Sequence, residues 1–387
     1  MENVSQMEHA LKQVLEERAK VLARETGCIE RQRKFSGADL VQMLVFGWLT
    51  HPDASLETLA STAGIRDISV SDTAVHKRFT ESCAHFLHAV LEEMLSILVQ
   101  AEQPVPLELL HRFTSVVLED SSSIALPKEL ADSWQGSGGG SGGGEAAIKL
   151  HVRWDLTHGQ ISGPRLTGGR VSDQCSPFRE VSLPAGSLNI ADLGYFDIEA
   201  AMERRKAGSY TLTRSRTNTA FFRRSRPALA LVGRFAPTSG THERAACAGW
   251  EAAEVSDATA AAAGAPSEVA EQRRQNLLSD ASRRAQPVSE RALELADWTL
   301  LLTDVPSKHL RLEEALVLLR ERWQIEWLFK LWKQYGHIDE CRTTHPWRVL
   351  CELYAKLIGM LLQHSLIVLL AWHNEQRSLV KLAEADP

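Results

Sequence analysis

Five short apolar segments between residues 114 and 215 constrain this chain more than any other feature. They are TSVVLED, AIKLHVRWDL, QISGPRL, SLNIADL and SYTLTRS, separated by turn-forming residues and by a helical stretch from Phe196 to Lys206. Their length and their content of β-branched and aromatic side chains are typical of strands. We therefore predict a mixed α/β domain built around a sheet in this part of the chain.

Helical periodicity precedes the predicted sheet. From residue 1 to about residue 112, apolar side chains recur at helical spacing, with short turns at His51-Pro52-Asp53 and at Ala63-Gly64. We predict a separate, all-helical N-terminal module in this region.

A segment inside this module, residues 55–82, has the form helix, glycine turn, helix. Ser55 is suited to cap the first helix, and Ser71 or Asp72 the second. The pattern weakly resembles a DNA-binding helix-turn-helix, and an ordinary helical hairpin with a solvated basic turn accounts for it about equally well. The basic residues that would face DNA are His76, Lys77 and Arg78.

Composition bounds the class of protein. The six cysteines are scattered without a CxxC pair, which indicates a reducing compartment and no structural zinc. The first residues form a charged helical pattern and not a secretion signal. The apolar run of residues 357–372 is interrupted by polar residues and is better interpreted as a buried helix than as a membrane span. We expect a cytoplasmic protein without membrane association.

Charge is unevenly distributed along the chain. The formal net charge is -6, yet no acid interrupts the basic residues of the segment 204–226. These residues are Arg204, Arg205, Lys206, Arg214, Arg216, Arg223, Arg224 and Arg226. We predict one local basic surface in an otherwise acidic chain.

Three further regions complete the predicted organisation. Residues 136–144 contain seven Gly and two Ser, which predicts a flexible surface loop; an engineered linker has the same composition. Residues 240–290 are rich in Ala, Glu, Ser and Arg, which predicts a helical or mobile excursion. After them we predict a strand in LADWTLLLTDVP, one long helix from Leu312 to Tyr335, and final helices from Trp347 onward.

Two acids each follow a predicted strand. Asp120 ends the run SVVLE before a Ser-rich turn, and Asp192 ends the run LNIA. Acids at the ends of neighbouring strands project into one cleft and can coordinate a divalent metal. Taken singly, an Asp in this position is more often a turn former or a helix cap.

A third acid lies on the predicted long helix. Glu326 shares one helical face with three basic residues, and the opposite face carries an apolar stripe. The basic residues are Arg322, Lys330 and Lys333, and the stripe consists of Ile325, Leu328, Phe329 and Trp332. The alternative is a solvated face stabilised by Glu-Lys pairs.

Four segments together resemble the insertion-sequence-four family of bacterial DDE transposases over residues 110–365. They are VVLEDSSSIALP, LNIADLGYFD, DWTLLLTDVP and RERWQIEWLFKLWK. The family's helix signature is Tyr, Arg, Glu and Lys with two, three and six residues between them. Arg322, Glu326 and Lys333 match it, whereas Leu319 stands at the Tyr position, so one phosphate contact of the family lacks its side chain here while the acids of the metal site are unaffected.

The resemblance implies an α/β fold with a ribonuclease H-like catalytic core interrupted by a β-rich insertion domain. It divides the chain into a helical DNA-binding domain (1–112), the first part of the core (113–213), the insertion domain (214–303), the second part of the core with the Glu helix (304–345) and C-terminal helices (346–387). The basic segment and the strand around Trp298 then belong to the insertion domain.

The resemblance also implies a function. The chain would be a cut-and-paste transposase that binds the terminal repeats of its insertion sequence, cleaves through a hairpin intermediate and joins 3′-hydroxyl ends to target DNA. Asp120, Asp192 and Glu326 would hold two Mg²⁺ ions, with Mn²⁺ as a substitute. Arg214, Arg322, Lys330 and Lys333 would bind phosphates. Trp298 would stack on a displaced base, or would be a core residue of its strand.

The implied partners are double-stranded DNA, as transposon ends and as target, and a second copy of the chain. The homodimer would form in the synaptic complex, with the helices after Trp347 as its surface, and the DNA-bound protein would be associated with the nucleoid. Two alternatives stay open at this point. One is a ribonuclease H-like nuclease or resolvase without strand transfer, and the other is a domesticated DNA-binding protein.

Overall fold

The structure is a computed structural model. It describes residues 9–31, 35–98, 108–138, 144–214, 222–223, 226–227, 244–246, 259–285 and 287–372. The strands of these residues are β1 (Val116–Leu126), β2 (Ala146–Asp155), β3 (Ile161–Gly168), β4 (Leu188–Ala191), β5 (Tyr210–Arg214), β6 (Phe222–Arg223), β7 (Arg226–Pro227), β8 (Arg244–Ala246), β9 (Thr259–Gly264) and β10 (Trp298–Thr303).

The α-helices follow the predicted distribution along the chain. They are α1 (Ala19–Glu25), α2 (Gly37–Thr50), α3 (Leu56–Ala63), α4 (Asp72–His76), α5 (Glu81–Leu98), α6 (Ile198–Lys206), α7 (Ser267–Arg284), α8 (Glu290–Leu295), α9 (Leu312–Glu321), α10 (Trp323–Gln334) and α11 (Pro346–Trp372). A π-helical segment, Gln13–Arg18, leads into α1.

Eight strands form one mixed sheet in the order β3-β2-β1-β4-β5-β10-β9-β8. β1, β2 and β3 are antiparallel, whereas β4 is parallel to β1 and β5 is parallel to β4. All four residues of β4 are buried, as expected for a parallel strand covered on both faces. This mixed α/β arrangement fits the ribonuclease H-like core that the resemblance implies.

The sheet continues into the segment that we assigned to the insertion domain. β10 pairs with β5 of the core, with Leu302 opposite Thr213, and β9 pairs with the other edge of β10. β9 is rich in alanine, which favours helices, so pairing with β10 overrides local propensity there. The helical part of the prediction for residues 240–290 is confirmed by α7.

The prediction that a Ser-rich turn follows Asp120 is wrong. β1 continues through the three serines to Leu126, and its antiparallel pairing with β2 is unbroken from Val117 to Leu126. The parallel pairing of β1 with β4 does end where we expected, at Glu119. Asp120 therefore lies just past the end of the pairing with β4, but in the middle of the pairing with β2.

The single long helix predicted from Leu312 to Tyr335 is also wrong, because it is divided into α9 and α10. Arg322 lies between them, as the C-cap of the first helix and the N-cap of the second. The interruption falls at the one residue in this stretch whose side chain contacts acids from both β1 and the end of β4.

The predicted separation of the N-terminal helices from the rest of the chain is not found. The described part of the predicted C-terminal helices, up to Trp372, forms one helix, α11, which packs against α5 and α2. Residues 351–359 of α11 are all buried. The N-terminal helices and the C-terminal helix therefore share one core. This stretch is also unavailable as the predicted dimer surface, because the same chain covers it.

Some predictions fall on residues that the structure does not describe. These are residues 139–143 of the Gly/Ser loop, Arg216 and Arg224 of the basic segment, and the end of the chain after Trp372. Within the described part of the chain, no helix combines the length and the apolar character needed to cross a membrane.

Candidate active site

The sheet brings two of the predicted acids to neighbouring positions. Glu119 of β1 is paired with Ala191 of β4, and this is the last pair of the two parallel strands. The next residues are Asp120 and Asp192. Because parallel strands run toward the same edge of the sheet, both carboxylates lie at that edge.

Helix α10 brings the third acid to the same place. Its buried residues Ile325, Phe329 and Trp332 pack on the core, and the helix lies against β1. Lys333 Nζ donates a hydrogen bond to the carbonyl oxygen of Ser123 in β1 over 2.9 Å. The predicted apolar stripe is thereby confirmed, and Glu326 faces the strand that carries Asp120.

The guanidinium of Arg322 lies between the three carboxylates. Its Nη1 is 3.2 Å from Asp120 Oδ2 and 2.6 Å from Glu326 Oε1, and its Nε is 3.8 Å from Asp192 Oδ1. We call these four residues the acid centre. Three carboxylates and one guanidinium leave a formal charge of −2 when all are ionised.

Burial and charge in the acid centre act on its ionisable groups. Burial raises the pKa of Asp120 to about 6, against the opposing effects of the Ser121 backbone N–H and of Arg322. Burial acts to lower the pKa of Arg322, but the three carboxylates outweigh it and raise that pKa. The contact with the Arg322 guanidinium therefore does not fully offset the cost of burying a negative charge on Asp120.

The donor set fits a hard divalent cation. All three acids offer oxygen ligands, which Mg²⁺ and Mn²⁺ prefer, and all three already converge on a cationic group. As they stand, however, no three acidic, His or Cys side chains in the described ranges are arranged to hold a metal ion. The position between the carboxylates belongs to Arg322.

A supporting layer behind Asp120 was missed by sequence reasoning. Ser121 Oγ donates to Asp173 Oδ1 over 2.7 Å, and Lys149 Nζ donates to the same oxygen over 3.0 Å. A side chain at position 194 would collide with Asp173, since a Cβ there would lie 2.8 Å from its Oδ2, so Gly194 allows the turn after Asp192 to approach. Only the run of serines after Asp120 hinted at this layer.

Arg214 and Trp298 lie at the same edge of the sheet as the acids. Thr213 of β5 is the partner of Ala191, so Arg214 is one residue past that pair, as Asp192 is. Leu301 is opposite Arg214 in the antiparallel β10, and Trp298 is three residues farther along. Trp298 is partly buried at the first position of its strand.

The outer face of α10 carries exposed aromatic residues that we had not singled out. Trp323 is 58% exposed and Trp327 is 48% exposed, with Glu326 between them in the chain. Lys330 Nζ lies 4.8 Å from the centre of the Trp327 ring. Their spacing of four residues is the signal that could have identified a second, aromatic stripe.

Leu319, at the position of the family's Tyr, is buried among the apolar residues of α9. It offers no hydroxyl and is only 8% exposed, so the phosphate contact expected from the family is absent at this position.

The structure also locates the predicted helix-turn-helix residues. Ser55 and Ser71 are the N-caps of α3 and α4, and the side chain of each accepts a hydrogen bond from the first turn of its helix, so the predicted capping of both helices is confirmed. The cleft between the two helices is lined by the carboxylates of Glu57, Asp67 and Asp72. These acids would repel phosphates, whereas the far end of α4 is basic.

That far end carries the three predicted basic residues. His76 and Lys77 are exposed, and the His76 ring lies 5.8 Å from that of His345 in an edge contact. The Arg78 guanidinium stacks 4.8 Å above the Phe35 ring. In the basic segment 204–226, Arg205 also has a partner within the protein, since it donates a hydrogen bond to the carbonyl oxygen of Asp304 over 3.3 Å.

The amino-acid sequence of this chain is similar to those of known proteins. The family described as transposase DDE domain matches residues 111–362. The chain is 26% identical over 369 residues to the transposase for insertion sequence element IS231F of Bacillus thuringiensis subsp. israelensis, covering 88% of this chain and 75% of that protein. It is 23% identical to the transposase for IS1151 of Clostridium perfringens, over 89% of this chain and 77% of the relative.

A similar relative is the transposase for insertion sequence element IS421 of Escherichia coli, 23% identical over 89% of each chain. The present chain therefore belongs to the DDE transposases of the insertion-sequence-four family, which confirms the resemblance. It is an enzyme with endonuclease and transposition activity, its substrate is DNA, and domains of this type use divalent metal ions.

Proposed function

We propose that the chain is a cut-and-paste transposase that binds the terminal repeats of its own insertion sequence, cleaves the ends and joins the freed 3′-hydroxyl groups to target DNA. The observation that supports this most is the acid centre, in which carboxylates from β1, the end of β4 and α10 all lie within 3.8 Å of one guanidinium. Their convergence gives the chain a complete set of acids for phosphodiester chemistry.

Asp120, Asp192 and Glu326 would hold two Mg²⁺ ions, with Mn²⁺ as a substitute. Such ions, when bound, activate the attacking oxygen and neutralise the leaving oxygen. Ca²⁺ should permit DNA binding with little cleavage, because it takes the same oxygen ligands in a looser geometry. Full cleavage in excess chelator would contradict this assignment.

The basic residues around the acid centre would position the DNA backbone. Arg214 lies at the edge of the sheet that carries the acids, and Lys330 is exposed on the outer face of α10. Lys333 is partly buried and tied to β1, so it would act at short range. Contacts of this kind fix the register of the duplex and do not select its sequence.

Trp298 would receive a base that leaves the stack when the DNA end bends into a hairpin. The Trp298→Ala variant should nick nearly normally and accumulate nicked ends in place of hairpins, whereas Trp298→Phe should restore part of the hairpin formation because it keeps a ring. Normal hairpin formation by Trp298→Ala would show that Trp298 has a purely structural role.

The exposed end of α4 would contact the terminal repeats, and two copies of the chain would pair the two ends. Lys77→Glu reverses one exposed charge at this position and should weaken binding of the ends in a gel-shift assay. A deletion of the N-terminal helices is unsuitable as a test, because it would uncover the buried face of α11.

The deciding experiment combines the purified protein with Mg²⁺ and DNA that carries the ends of its own element. We expect 3′ nicks at the ends, followed by joining to a target plasmid. Glu326→Gln should lower nicking by several orders of magnitude and leave DNA binding intact. The matched control is Glu313→Gln, which makes the same change at an exposed position of α9. Nicking without joining would instead identify a nuclease.

A further inference from the structure

Arg322 occupies the position that a cation between the three acids would take. Its side chain is only 10% exposed, and its nitrogens lie 2.6 to 3.8 Å from one oxygen of each acid. No other basic residue of the described chain contacts Asp120 or Glu326 in an ion pair, so the guanidinium is their counter-charge.

A divalent cation cannot share this position with the guanidinium. Arginine stays protonated under all ordinary conditions, so it cannot make room by losing its charge. Two cations between the same carboxylates would repel each other at short distance. The side chain of Arg322 must therefore move before Asp120, Asp192 and Glu326 can act as ligands together.

The backbone and the surroundings give Arg322 a way to move. It lies at the interruption between α9 and α10, where its backbone N–H donates to the Arg320 carbonyl and its own carbonyl accepts from Ile325, so the regular α-helical pattern is broken at this residue. The neighbouring outer face of α10 carries the exposed Lys330, so a DNA backbone bound there would bring phosphates close. A phosphate is a strong partner for a guanidinium, because both can form two parallel charge-assisted hydrogen bonds.

We propose that Arg322 keeps the acid centre closed to divalent cations in the free protein, and that a DNA phosphate opens the centre by drawing the guanidinium away. This inference rests on the proposed function and adds an order of assembly, with DNA before metal. The coupling is reciprocal, so metal ions must tighten DNA binding by the same factor by which DNA tightens metal binding. Free protein then has no loaded site with which to cut DNA nonspecifically.

The test measures Mn²⁺ binding directly by electron paramagnetic resonance. The samples are the full chain alone and the full chain with a pre-cut duplex of its own element's end, which avoids cleavage during the titration. We expect wild-type protein to bind Mn²⁺ at least tenfold more tightly with DNA than without it. Equal affinity in the two samples would overturn the proposal without reference to any variant.

The matched variants are Arg322→Gln and the control Arg320→Gln, which removes an exposed arginine two residues away. Arg322→Gln should bind Mn²⁺ at least tenfold more tightly than wild type in the absence of DNA and should gain little from added DNA. Arg320→Gln should behave as wild type. Unchanged or weaker Mn²⁺ binding by folded Arg322→Gln would show that Arg322 only orients the acids.

Asp120→Asn separates this inference from the proposed function. If it leaves Mn²⁺ binding unchanged with and without DNA, the ions bind elsewhere and the proposed metal site itself fails. If it abolishes Mn²⁺ binding while the wild-type affinity does not depend on DNA, the metal site stands and the closing role of Arg322 fails.

Discussion

Glu119 and Asp120 are neighbours in β1, and they face opposite sides of the sheet with opposite consequences. Glu119 is 1% exposed and fully engaged: Arg153 Nε donates to its Oε2 over 2.9 Å, and Ser176 Oγ donates to its Oε1 over 2.8 Å. Asp120 shares one guanidinium with two other acids. Two carboxylates of one strand thus differ in how completely their charge is compensated.

This difference separates a carboxylate that stabilises the fold from one that is available for metal binding and catalysis. Arg153 has further partners of its own, since it also donates to the carbonyl oxygens of Phe178 and Val181 and stacks on the Phe178 ring. A buried ion pair with every group satisfied holds local structure in place. A cluster with surplus negative charge instead retains affinity for cations from solution. Four predictions test this contrast.

The largest effect is expected for cleavage by Asp120→Asn. Loss of one anionic ligand should lower the rate of first-strand nicking by about 10³ to 10⁴, or roughly 4–5.5 kcal/mol. The free energy of unfolding at pH 8 should stay the same or rise, because burial favours the neutral form of this side chain. Gel analysis of nicked ends and urea denaturation measure the two effects. A variant that nicks normally would end the assignment of Asp120 to the chemistry.

The second prediction concerns the other side of β1. Arg153→Met removes the partner of Glu119 and leaves a buried carboxylate unpaired, which should lower the free energy of unfolding by about 3–5 kcal/mol. Arg179→Met is the control, because the pair of Arg179 with Asp197 is partly exposed and should contribute less than about 1 kcal/mol. Similar losses in the two variants would mean that the buried pair has no special structural role.

Asp304 provides a third case for this comparison. Its carboxylate is buried and its negative charge is only partly compensated, although it lies outside the acid centre. Its Oδ1 accepts a hydrogen bond from the backbone N–H of Thr211 over 2.6 Å, whereas its Oδ2 has no hydrogen-bond partner among the described residues. Burial raises its pKa from the ordinary 3.8 to about 6. An uncompensated carboxylate therefore indicates a metal site only where other acids converge with it.

The third prediction follows from the sign of that pKa shift. The folded state holds the proton of Asp304 more tightly than the unfolded state, so stability falls as pH rises from 3.8 to about 6 and stays lower above that window. Relative to Asp304→Asn, wild type should lose about 2–3 kcal/mol between pH 4 and pH 7. Urea denaturation at both pH values measures this loss. Parallel pH profiles for the two proteins would exclude Asp304 as its source.

Local pattern was sufficient to predict much of the site. Asp120 lies in a strand with a short apolar run and Asp192 directly follows another, and the face of α10 that carries Glu326 follows from its spacing against Ile325 and Phe329. The caps at Ser55 and Ser71 are equally local, because each hydroxyl accepts from a backbone N–H three residues later. Such features depend only on neighbours in the chain.

The remaining features depend on contacts that no local pattern contains. Arg322 contacts Asp120 across 202 residues of sequence, so its place among the acids follows from how α10 approaches β1. α11 became a buried helix because helices at the other end of the chain cover it. β9 is a strand in spite of its alanines because β10 offers it an edge to pair with.

The smallest effects are expected for two serines on the Glu119 side of β1, where Ser121 also lies because side chains alternate along the unbroken strand. Ser176→Ala removes the hydroxyl that donates to Glu119 Oε1, so the carboxylate loses one of its two donors in a buried place and the free energy of unfolding should fall by about 1–2 kcal/mol, with little change in cleavage. Ser121→Ala removes a donor to Asp173, which keeps its bond from Lys149, so stability should fall by less than about 1 kcal/mol.

The rate of nicking should rank the two serine variants in the opposite order to their stability, with the larger effect for Ser121→Ala. Ser121 donates its backbone N–H to Asp120, and its hydroxyl holds Asp173 next to Gly194 in the turn after Asp192, so loss of the hydroxyl should slow nicking several-fold and shift the Mn²⁺ dependence to higher concentration. Ser176→Ala should keep both. If Ser176→Ala slows nicking as much as Ser121→Ala does, then the whole Glu119 side of β1 influences cleavage, and Ser121 has no particular link to the acid centre.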